Sequence, residues 1–520
     1  MATTFPSITA HVETSWPAIQ SALETYITIP NQSPMFDSDH LTNGHTEKVV
    51  ELMAGWVNAR GVKGLSLEVQ RAEGRTPLIF IEVASTGGEG TVLMYGHLDK
   101  QPPMAAAWAE GLSPYVPVLK DGKLYGRGGA DDGYAIFGAV TALQALQAQG
   151  VPHGRAVIII EACEESGSPD LPHYVMALKA RIGVPSLIVC LDSGCGDYER
   201  MWLTTSLRGL VGGNLRTTIL REAVHSGSSS GVVPSSFRIT RQLLSRVEDE
   251  ATGRILLPEL HSPIPPDRVK EAGIVAGIMG EAIYKNFPWV DGSYPSGKED
   301  LAELLLRRTW RPALSVTGAE GFPTLAQAGN VLRTQTAFKL SMRLPPRCAA
   351  DEAGLALKKA LEASPPHGAH VGFELEKSAS GWDAPATSPW LAAAIEEASV
   401  SAFGQPPAHF GEGGSIPFMG MLGELFPMAQ FVVTGVLGPG SNAHGPNEFL
   451  HVAFTKKIIA AVSVILAAHG KQPAQPGAAA ADAGAMAGRT AAANADREAT
   501  LLVNEAKAKA HIHTGEGCCP

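Results

Sequence analysis

The chain has 520 residues and a formal net charge of −10, so it is too long for one ordinary domain and an unlikely partner for nucleic acid. Hydrophobic residues make up 45% of it and charged residues 18%, proportions typical of a soluble globular protein with a substantial core. It begins without the pattern of a signal peptide, contains no apolar run of ~18 residues that would span a membrane, and has six cysteines without a CxxC pair. We therefore expect two folded units, a cytoplasmic location and no membrane partner.

Strand-like and helix-like segments alternate along the first part of the chain. Helices are expected at residues 13–29, 48–59, 132–149 and 171–182. Strands, several of them short apolar runs, are expected at residues 65–71, 78–84, 91–96, 156–163 and 186–191. This alternation predicts an α/β fold, with a mostly parallel sheet covered by helices.

The strand predicted at residues 91–96 leads into His97-Leu98-Asp99. Because side chains two positions apart in an extended chain point the same way, His97 and Asp99 begin on one face at the end of the strand. An imidazole that binds a metal is commonly oriented by a carboxylate, and Asp99 is placed to provide one. Alone, this pair is a weak signal, since a single histidine at a strand end is more often ordinary than a ligand.

Acidic residues follow two other predicted strands, Glu164 and Glu165 after one and Asp192 after the next, and Asp131 stands at the start of a helix. Each has an ordinary alternative: a helix cap for Asp131 or Asp132, a solvated loop for the glutamates, a turn for Asp192. Together they would lie beyond the carboxyl ends of strands in one sheet, where α/β proteins bind ligands. Crowded carboxylates need a cation, and carboxylates with imidazole indicate zinc, manganese or cobalt.

Four segments contain these residues: GHLD at 96–99, GRGGADDG at 126–133, EACEESGS at 161–168 and CLDSG at 190–194. They resemble metallopeptidase family twenty, which includes carnosine and other dipeptidases, aminoacylases and glutamate-releasing carboxypeptidases. The resemblance covers roughly residues 15–470 and is closest to the carnosine-dipeptidase branch. One departure is visible, since many relatives have DDKG where this chain has Asp131-Asp132-Gly133-Tyr134.

The resemblance implies two divalent ions per chain, zinc with manganese or cobalt as alternatives, held by five ligands: His97, Asp131, Glu165, Asp192 and His444. Asp131 would bridge both ions, and His444 would come from the segment 438–445. Glu164 would be the general base for a metal-bridging water that cleaves the amide bond of a dipeptide or short peptide. Asp99 would assist beside His97.

Residues 205–385 are expected to interrupt the catalytic unit, because His444 must return to a site built before residue 193. Alternating segments at residues 210–220, 331–344 and 370–377, with helical patterns at 235–249 and 350–363, predict an inserted α+β sandwich. In the resembling family this domain is a lid and carries the dimer contact, which implies a homodimer. The catalytic unit would then comprise residues 1–204 and 386–470, followed by a flexible low-complexity tail at 471–520.

Three residues of the insert have both an ordinary interpretation and a functional one. His225 is either a polar loop residue or, by the resemblance, an oxyanion donor to the neighbouring subunit's site. Arg343 is either a surface arginine or, by the resemblance, a group that binds a substrate carboxylate, which its planar fork suits. Asn330 is either a turn residue or a substrate contact.

The glycine-rich segment 411–417 lacks the lysine of a phosphate-binding loop. Its backbone amides and Ser415 could instead hold the terminal carboxylate of a peptide, and Glu412 could lie near the metals. The sequence therefore predicts a two-metal hydrolase of dipeptides or short peptides. An N-acyl amino acid deacylase and a glutamate carboxypeptidase remain alternatives, as does a non-catalytic binding protein, although every expected ligand position is filled. In the tail, His511, His513, Cys518 and Cys519 are interpreted as part of a flexible end rather than a metal site.

Overall fold

The computed structural model describes residues 5–473, and a six-stranded sheet lies at its centre. The strands are β1 Leu65–Gln70, β2 Leu78–Val83, β3 Thr91–His97, β4 Val118–Lys120, β5 Lys123–Tyr125, β6 Arg155–Glu161, β7 Leu187–Cys190, β8 Trp202–Leu207, β9 Gly209–Thr218, β10 Val224–His225, β11 Ala313–Glu320, β12 Val331–Leu332, β13 Gln335–Leu344, β14 His370–Ala379, β15 Trp382–Asp383, β16 Ala408–Glu412, β17 Gln430–Val433 and β18 Phe449–His451. The helices are α1 Phe5–Ile27, α2 His45–Asn58, α3 Ala135–Ala148, α4 Leu171–Ala177, α5 Lys179–Ile182, α6 Ser226–Ser229, α7 Ser236–Leu244, α8 Pro266–Met279, α9 Ala282–Lys285, α10 Leu301–Thr309, α11 Ala350–Glu362, α12 Pro389–Phe403, α13 Pro417–Leu425 and α14 Val452–His469.

The central sheet has the strand order β1-β2-β6-β3-β7-β17. Strands β6, β3, β7 and β17 pair in parallel, whereas β1 and β2 form an antiparallel edge. Strands β2, β3 and β7 are buried along their whole length, as expected for apolar runs covered on both faces. The predicted α/β class, with a mostly parallel sheet and covering helices, is confirmed.

A second, antiparallel sheet with the order β11-β13-β9-β14 lies in the middle of the chain. Helices α7 and α11 cover one face of it, and their apolar side chains form a separate core with those of the sheet, including Leu215, Leu243, Leu340, Leu357 and Phe373. This is the α+β arrangement that the alternating segments predict. The exact division of the chain into units stays a prediction.

Helices α8, α9 and α10 lie within the segment predicted as an insert, yet their apolar residues belong to the core of the central sheet and its helices. Ala272 and Val275 of α8, Leu305 and Leu306 of α10, and the adjacent Trp310 are all buried there. Helix α8 lies against β16, which pairs in parallel with β8. The sequence analysis predicted no helix in this segment.

Helix α14 is long and apolar enough to cross a membrane by length and composition, but 72% of that window is buried. It packs against α1, α3 and α12, so its apolar surface serves the core of the fold. The expected tail lies outside the described residues from residue 474 onward.

Candidate metal centre and active site

The carboxyl ends of three neighbouring parallel strands bring the predicted site residues together. His97 is the last residue of β3, Glu164 and Glu165 follow β6, and Asp192 follows β7. Because β6, β3 and β7 are adjacent in the sheet, these side chains meet at one edge. The loop before α3 adds Asp131, and the loop before β18 adds the fifth predicted ligand, His444.

Asp131 lies between the two histidines of the cluster. Its Oδ1 atom is 3.2 Å from Nε2 of His97, and its Oδ2 atom is 3.1 Å from Nε2 of His444. Glu165 Oε2 also lies 3.1 Å from Nε2 of His444, and Asp192 Oδ2 lies 3.8 Å from Nε2 of His97. The five residues thus form two adjacent groups that share Asp131, the arrangement expected for a pair of ions.

Asp99 links the histidine to the glutamate segment. One of its carboxylate oxygens accepts a hydrogen bond from the backbone N–H of Glu164 at 3.0 Å, and the other accepts one from Glu165 at 3.1 Å. The same carboxylate lies 3.4 Å from Nδ1 of His97. It therefore fixes the relative position of a predicted ligand and the predicted base.

Asp132 is fully buried beside the cluster and does not cap a helix. Its Oδ2 atom accepts a hydrogen bond from the backbone N–H of His97 at 3.2 Å, and the first turn of α3 has no side-chain cap. His97, Asp132 and Asp192 also lie close enough to form a metal-binding group, as do His97, Asp131 and Glu165. The sequence analysis gave Asp132 no role beyond a possible cap.

Burial and mutual repulsion perturb the carboxylates. Burial raises the pKa of Asp192 to about 7, and burial together with Asp192 raises the pKa of Glu164 well above its usual value. Burial would also raise the pKa of Asp131, but its hydrogen bonds with His444 and His97 hold it below the usual range. The crowded acids therefore favour a bound positive charge.

The residues present fit divalent cations. Imidazole nitrogens and carboxylate oxygens are the donors that transition-metal ions and zinc prefer. In addition, Oε1 of Glu165 is buried and has no hydrogen-bond partner among residues 5–473, so this oxygen is free to bind an ion. The cluster is therefore a candidate two-metal centre.

Three of the predicted substrate residues lie around the glycine-rich loop that follows β16. Arg343, on β13, donates a hydrogen bond from Nη1 to Oγ of Ser415 at 3.1 Å. Glu412 Oε1 accepts a hydrogen bond at 2.8 Å from the backbone N–H of Gly194, two residues after Asp192. The structure thus brings Arg343 and Ser415 together and places Glu412 beside the metal cluster.

His225 and Asn330 lie together elsewhere, on the ribbon formed by β10 and β12. His225 is exposed, and its Nδ1 atom accepts a hydrogen bond at 3.0 Å from the backbone N–H of Gly227. The carbonyl of Asn330 accepts a hydrogen bond from the backbone N–H of Ser226 at 2.9 Å. Within the described chain, no hydrogen bond or ion pair joins either residue to the metal cluster.

A buried ion pair that the sequence analysis missed joins the two loops that carry Asp131 and His444. Glu448 is 0% exposed and accepts hydrogen bonds from Arg127 Nη1 at 2.8 Å and from the backbone N–H groups of Gly128 at 3.0 Å and Ala130 at 3.2 Å. Arg127 Nη2 also donates to the carbonyl of Gly445, next to His444, at 2.7 Å. The pair therefore holds both ligand-bearing loops in one arrangement.

A mixed sheet with a candidate two-metal centre at the carboxyl ends of its parallel strands is an arrangement suited to metal-dependent hydrolysis. The sequence model of peptidase family M20/M25/M40 matches residues 93–468. The chain belongs to this family, as the four sequence segments predicted.

Curated relatives and solved structures agree with this assignment. A cysteinylglycine-S-conjugate dipeptidase of Corynebacterium striatum is 26% identical over 438 residues, which cover 81% of this chain and 90% of that protein. A Beta-Ala-His dipeptidase of Homo sapiens is 27% identical over 390 residues, covering 72% of this chain and 73% of that protein. The structure of the di-peptidase Dug1p from Saccharomyces cerevisiae shares the fold, with a TM-score of 0.71 at 22% identity over 91% of this chain and 100% of that chain.

Proposed function

We propose that the protein hydrolyses the amide bond of dipeptides, using two divalent metal ions per chain. The observation that carries the proposal is the cluster in which the two oxygens of Asp131 face two different histidines, at 3.2 and 3.1 Å. The names of the two curated relatives support dipeptides as the substrate class. The donor set supports zinc, with manganese or cobalt as substitutes.

Glu164 acts as the general base in this proposal. The carboxylate of Asp99 fixes the backbone of Glu164. Glu164 lies next to the proposed ligand Glu165, but it belongs to neither of the two sets of proposed metal ligands that share Asp131. When bound, the metal ions would polarise the scissile carbonyl and lower the pKa of a water molecule. Glu164 takes the proton from the water and delivers it to the leaving amine.

The glycine-rich loop orients the dipeptide. Arg343 and Ser415 are within hydrogen-bonding distance of each other, and together they bind the terminal carboxylate of the substrate. Glu412, held by the backbone of Gly194, faces the substrate ammonium group. These contacts at both ends favour a substrate of two residues over a longer peptide.

The proposed assembly is a homodimer in the cytoplasm, in which His225 completes the site of the partner subunit. The position of His225 supports this proposal, because the residue is exposed and has no contact with the cluster of its own described chain. An imidazole N–H from the partner would stabilise the oxyanion of the transition state. Asn330, next to His225 on the ribbon, would contact the substrate from the same side.

The function is tested by measuring metal content and hydrolysis of a panel of dipeptides, N-acetyl amino acids, folate-type glutamate conjugates and longer peptides. We expect two ions per chain, fastest cleavage of dipeptides and complete loss of activity with a chelator, restored by zinc. Preferred cleavage of N-acyl amino acids would instead support a deacylase, and preferred release of glutamate would support a carboxypeptidase. Full activity after metal removal would refute the two-metal proposal, and no cleavage of any substrate by the metal-loaded protein would support a binding function.

A further inference from the structure

A pocket of about 380 Å³ opens beside the candidate metal centre. Its walls come from the loops after β7, β16 and β17 and from helices α8, α9 and α10. Its lining combines apolar side chains, including Ile283, Phe410 and Leu437, with polar surface, and Arg308 and Glu412 provide its charged groups. The pocket is thus large enough for an amino-acid side chain and contains one cation and one anion.

Arg308 differs from the arginines around it because its guanidinium group has no hydrogen bond or ion pair with any residue between 5 and 473. The exposed Arg307 next to it pairs with Glu303 at 3.3 Å and bonds to a backbone carbonyl. Arg208 donates to the carbonyl of Gly413 at 3.2 Å. Burial lowers the pKa of Arg308, an effect that Glu412 opposes without forming an ion pair. A largely buried guanidinium without a partner favours an anionic ligand.

The pocket adjoins the place proposed for the substrate ammonium group. Glu412 lines the pocket and accepts a hydrogen bond from the backbone N–H of Gly194 at 2.8 Å. Gly194, which comes two residues after Asp192, also lines the pocket. Ser415, which contacts Arg343, lies at the other end of the same short loop. A dipeptide with its carboxylate at Ser415 and its ammonium group at Glu412 would therefore direct its first side chain into this pocket.

We propose that Arg308 makes this pocket a subsite for an acidic side chain, so that dipeptides beginning with glutamate or aspartate are preferred substrates. This inference rests on the dipeptidase function proposed above. The planar fork of Arg308 can donate two parallel hydrogen bonds to the carboxylate, while the methylene groups contact the apolar wall. A lysine side chain in the same place would meet the like charge of Arg308, while the substrate ammonium group already occupies Glu412.

The first measurement compares kcat/KM of the wild-type enzyme for Glu-Ala, Gln-Ala, Leu-Ala and Lys-Ala. Glutamate and glutamine differ little in shape, so their ratio isolates the charge of the side chain and requires no variant. We expect Glu-Ala to exceed Gln-Ala by about tenfold, and Lys-Ala to be the poorest substrate, since hydrogen bonds between charged groups are the stronger ones. Equal values for Glu-Ala and Gln-Ala would overturn the inference.

The second measurement repeats the panel with Arg308→Gln, Arg308→Lys and, as a matched control, Arg307→Gln. Arg308→Gln should reduce kcat/KM for Glu-Ala by about tenfold to a hundredfold while changing Leu-Ala by less than about threefold. Arg308→Lys should retain part of the preference, and Arg307→Gln should retain all of it. An equal loss for all substrates in Arg308→Gln would overturn the inference, because Arg308 would then serve only to orient Glu412. If wild-type enzyme cleaves Leu-Ala and Gln-Ala without a charge preference, the subsite alone is refuted, whereas no cleavage of any dipeptide refutes the proposed function as well.

Discussion

Replacing Glu448 should weaken metal binding as well as stability, although this residue is not a predicted ligand. In Glu448→Ala the buried guanidinium of Arg127 loses its carboxylate, and the backbone N–H groups of Gly128 and Ala130 lose their acceptor. Arg127 is 1% exposed, so water cannot easily replace the lost partner. Breaking a buried ion pair in this way typically costs about 3–5 kcal/mol of folding free energy.

The effect on the metals follows from the position of the ion pair. Glu448 and Arg127 hold the loops that precede Asp131 and follow His444, and loss of a partner that orients ligands typically weakens metal affinity by about 10- to 100-fold. Glu448→Gln keeps an acceptor for the backbone but loses the charge, so it should show the affinity loss with less destabilisation. Urea unfolding of the metal-free protein gives the stability, and competition with a chelator gives the metal affinity.

Glu82→Ala is a matched control for this experiment. Glu82 is also buried and forms ion pairs, at 2.7 Å with Arg155 and at 2.6 Å with Arg181, but it lies on β2 at the antiparallel edge of the sheet. Its loss should destabilise the protein comparably and leave metal affinity unchanged once the protein is folded. If Glu448→Ala and Glu82→Ala have the same metal affinity as the wild type, Glu448 stabilises the fold without positioning the ligands.

The remaining predictions concern the base, the dimer and pH. Glu164→Ala should retain most metal and lose at least ~10²-fold in kcat, whereas Glu165→Ala should lose metal; the reverse result would exchange their roles. The His225→Ala and Glu164→Ala dimers should each be inactive and should regain activity when they exchange subunits, because one site of each mixed dimer is then intact. Verified mixed dimers that stay inactive would exclude a site that takes His225 from the partner subunit. Burial lowers the pKa of His469 to about 4 from a usual 6.5, so its neutral form contributes stability that is present above pH 6.5 and is lost as pH falls through 4. The unfolding free energies of metal-free wild type and His469→Gln should therefore converge by at most about 3 kcal/mol over that range, and a constant difference would contradict this assignment.

Local sequence pattern was sufficient for the residues at strand ends. The apolar runs before His97 and Asp192 are short and uninterrupted, and the run before Glu164 contains one charged residue, Glu161. The strands and their approximate ends could therefore be located. Parallel pairing then requires that these ends meet at one edge of the sheet, whatever the details of the helices. His444 was different, because only the resemblance indicated which of the later histidines returns to the site.

Residues whose importance depends on contacts between distant segments were not predictable in the same way. Arg127 lies in the segment GRGGADDG at 126–133, which resembles the family. Its partner Glu448 comes more than 300 residues later, and nothing in either segment specifies the pairing. The same is true of Arg308, because the loops that surround it come from segments before and after the second sheet in the sequence. Such pairs become visible only when the tertiary structure brings the segments together.

The position of α8, α9 and α10 has a consequence for any attempt to remove the second sheet from this enzyme. The chain leaves the central core after β8, returns to it with α8, leaves again after α10 and returns with β15, so it crosses between the two cores four times. A single deletion from β9 to β14 would also remove the helices that form one wall of the pocket at Arg308. Keeping only the central core and the predicted metal ligands would therefore require two separate excisions, each closed by its own short linker, with residues 266–310 retained between them. Such a unit would lack Arg343 and His225, so it should bind metal without cleaving dipeptides efficiently.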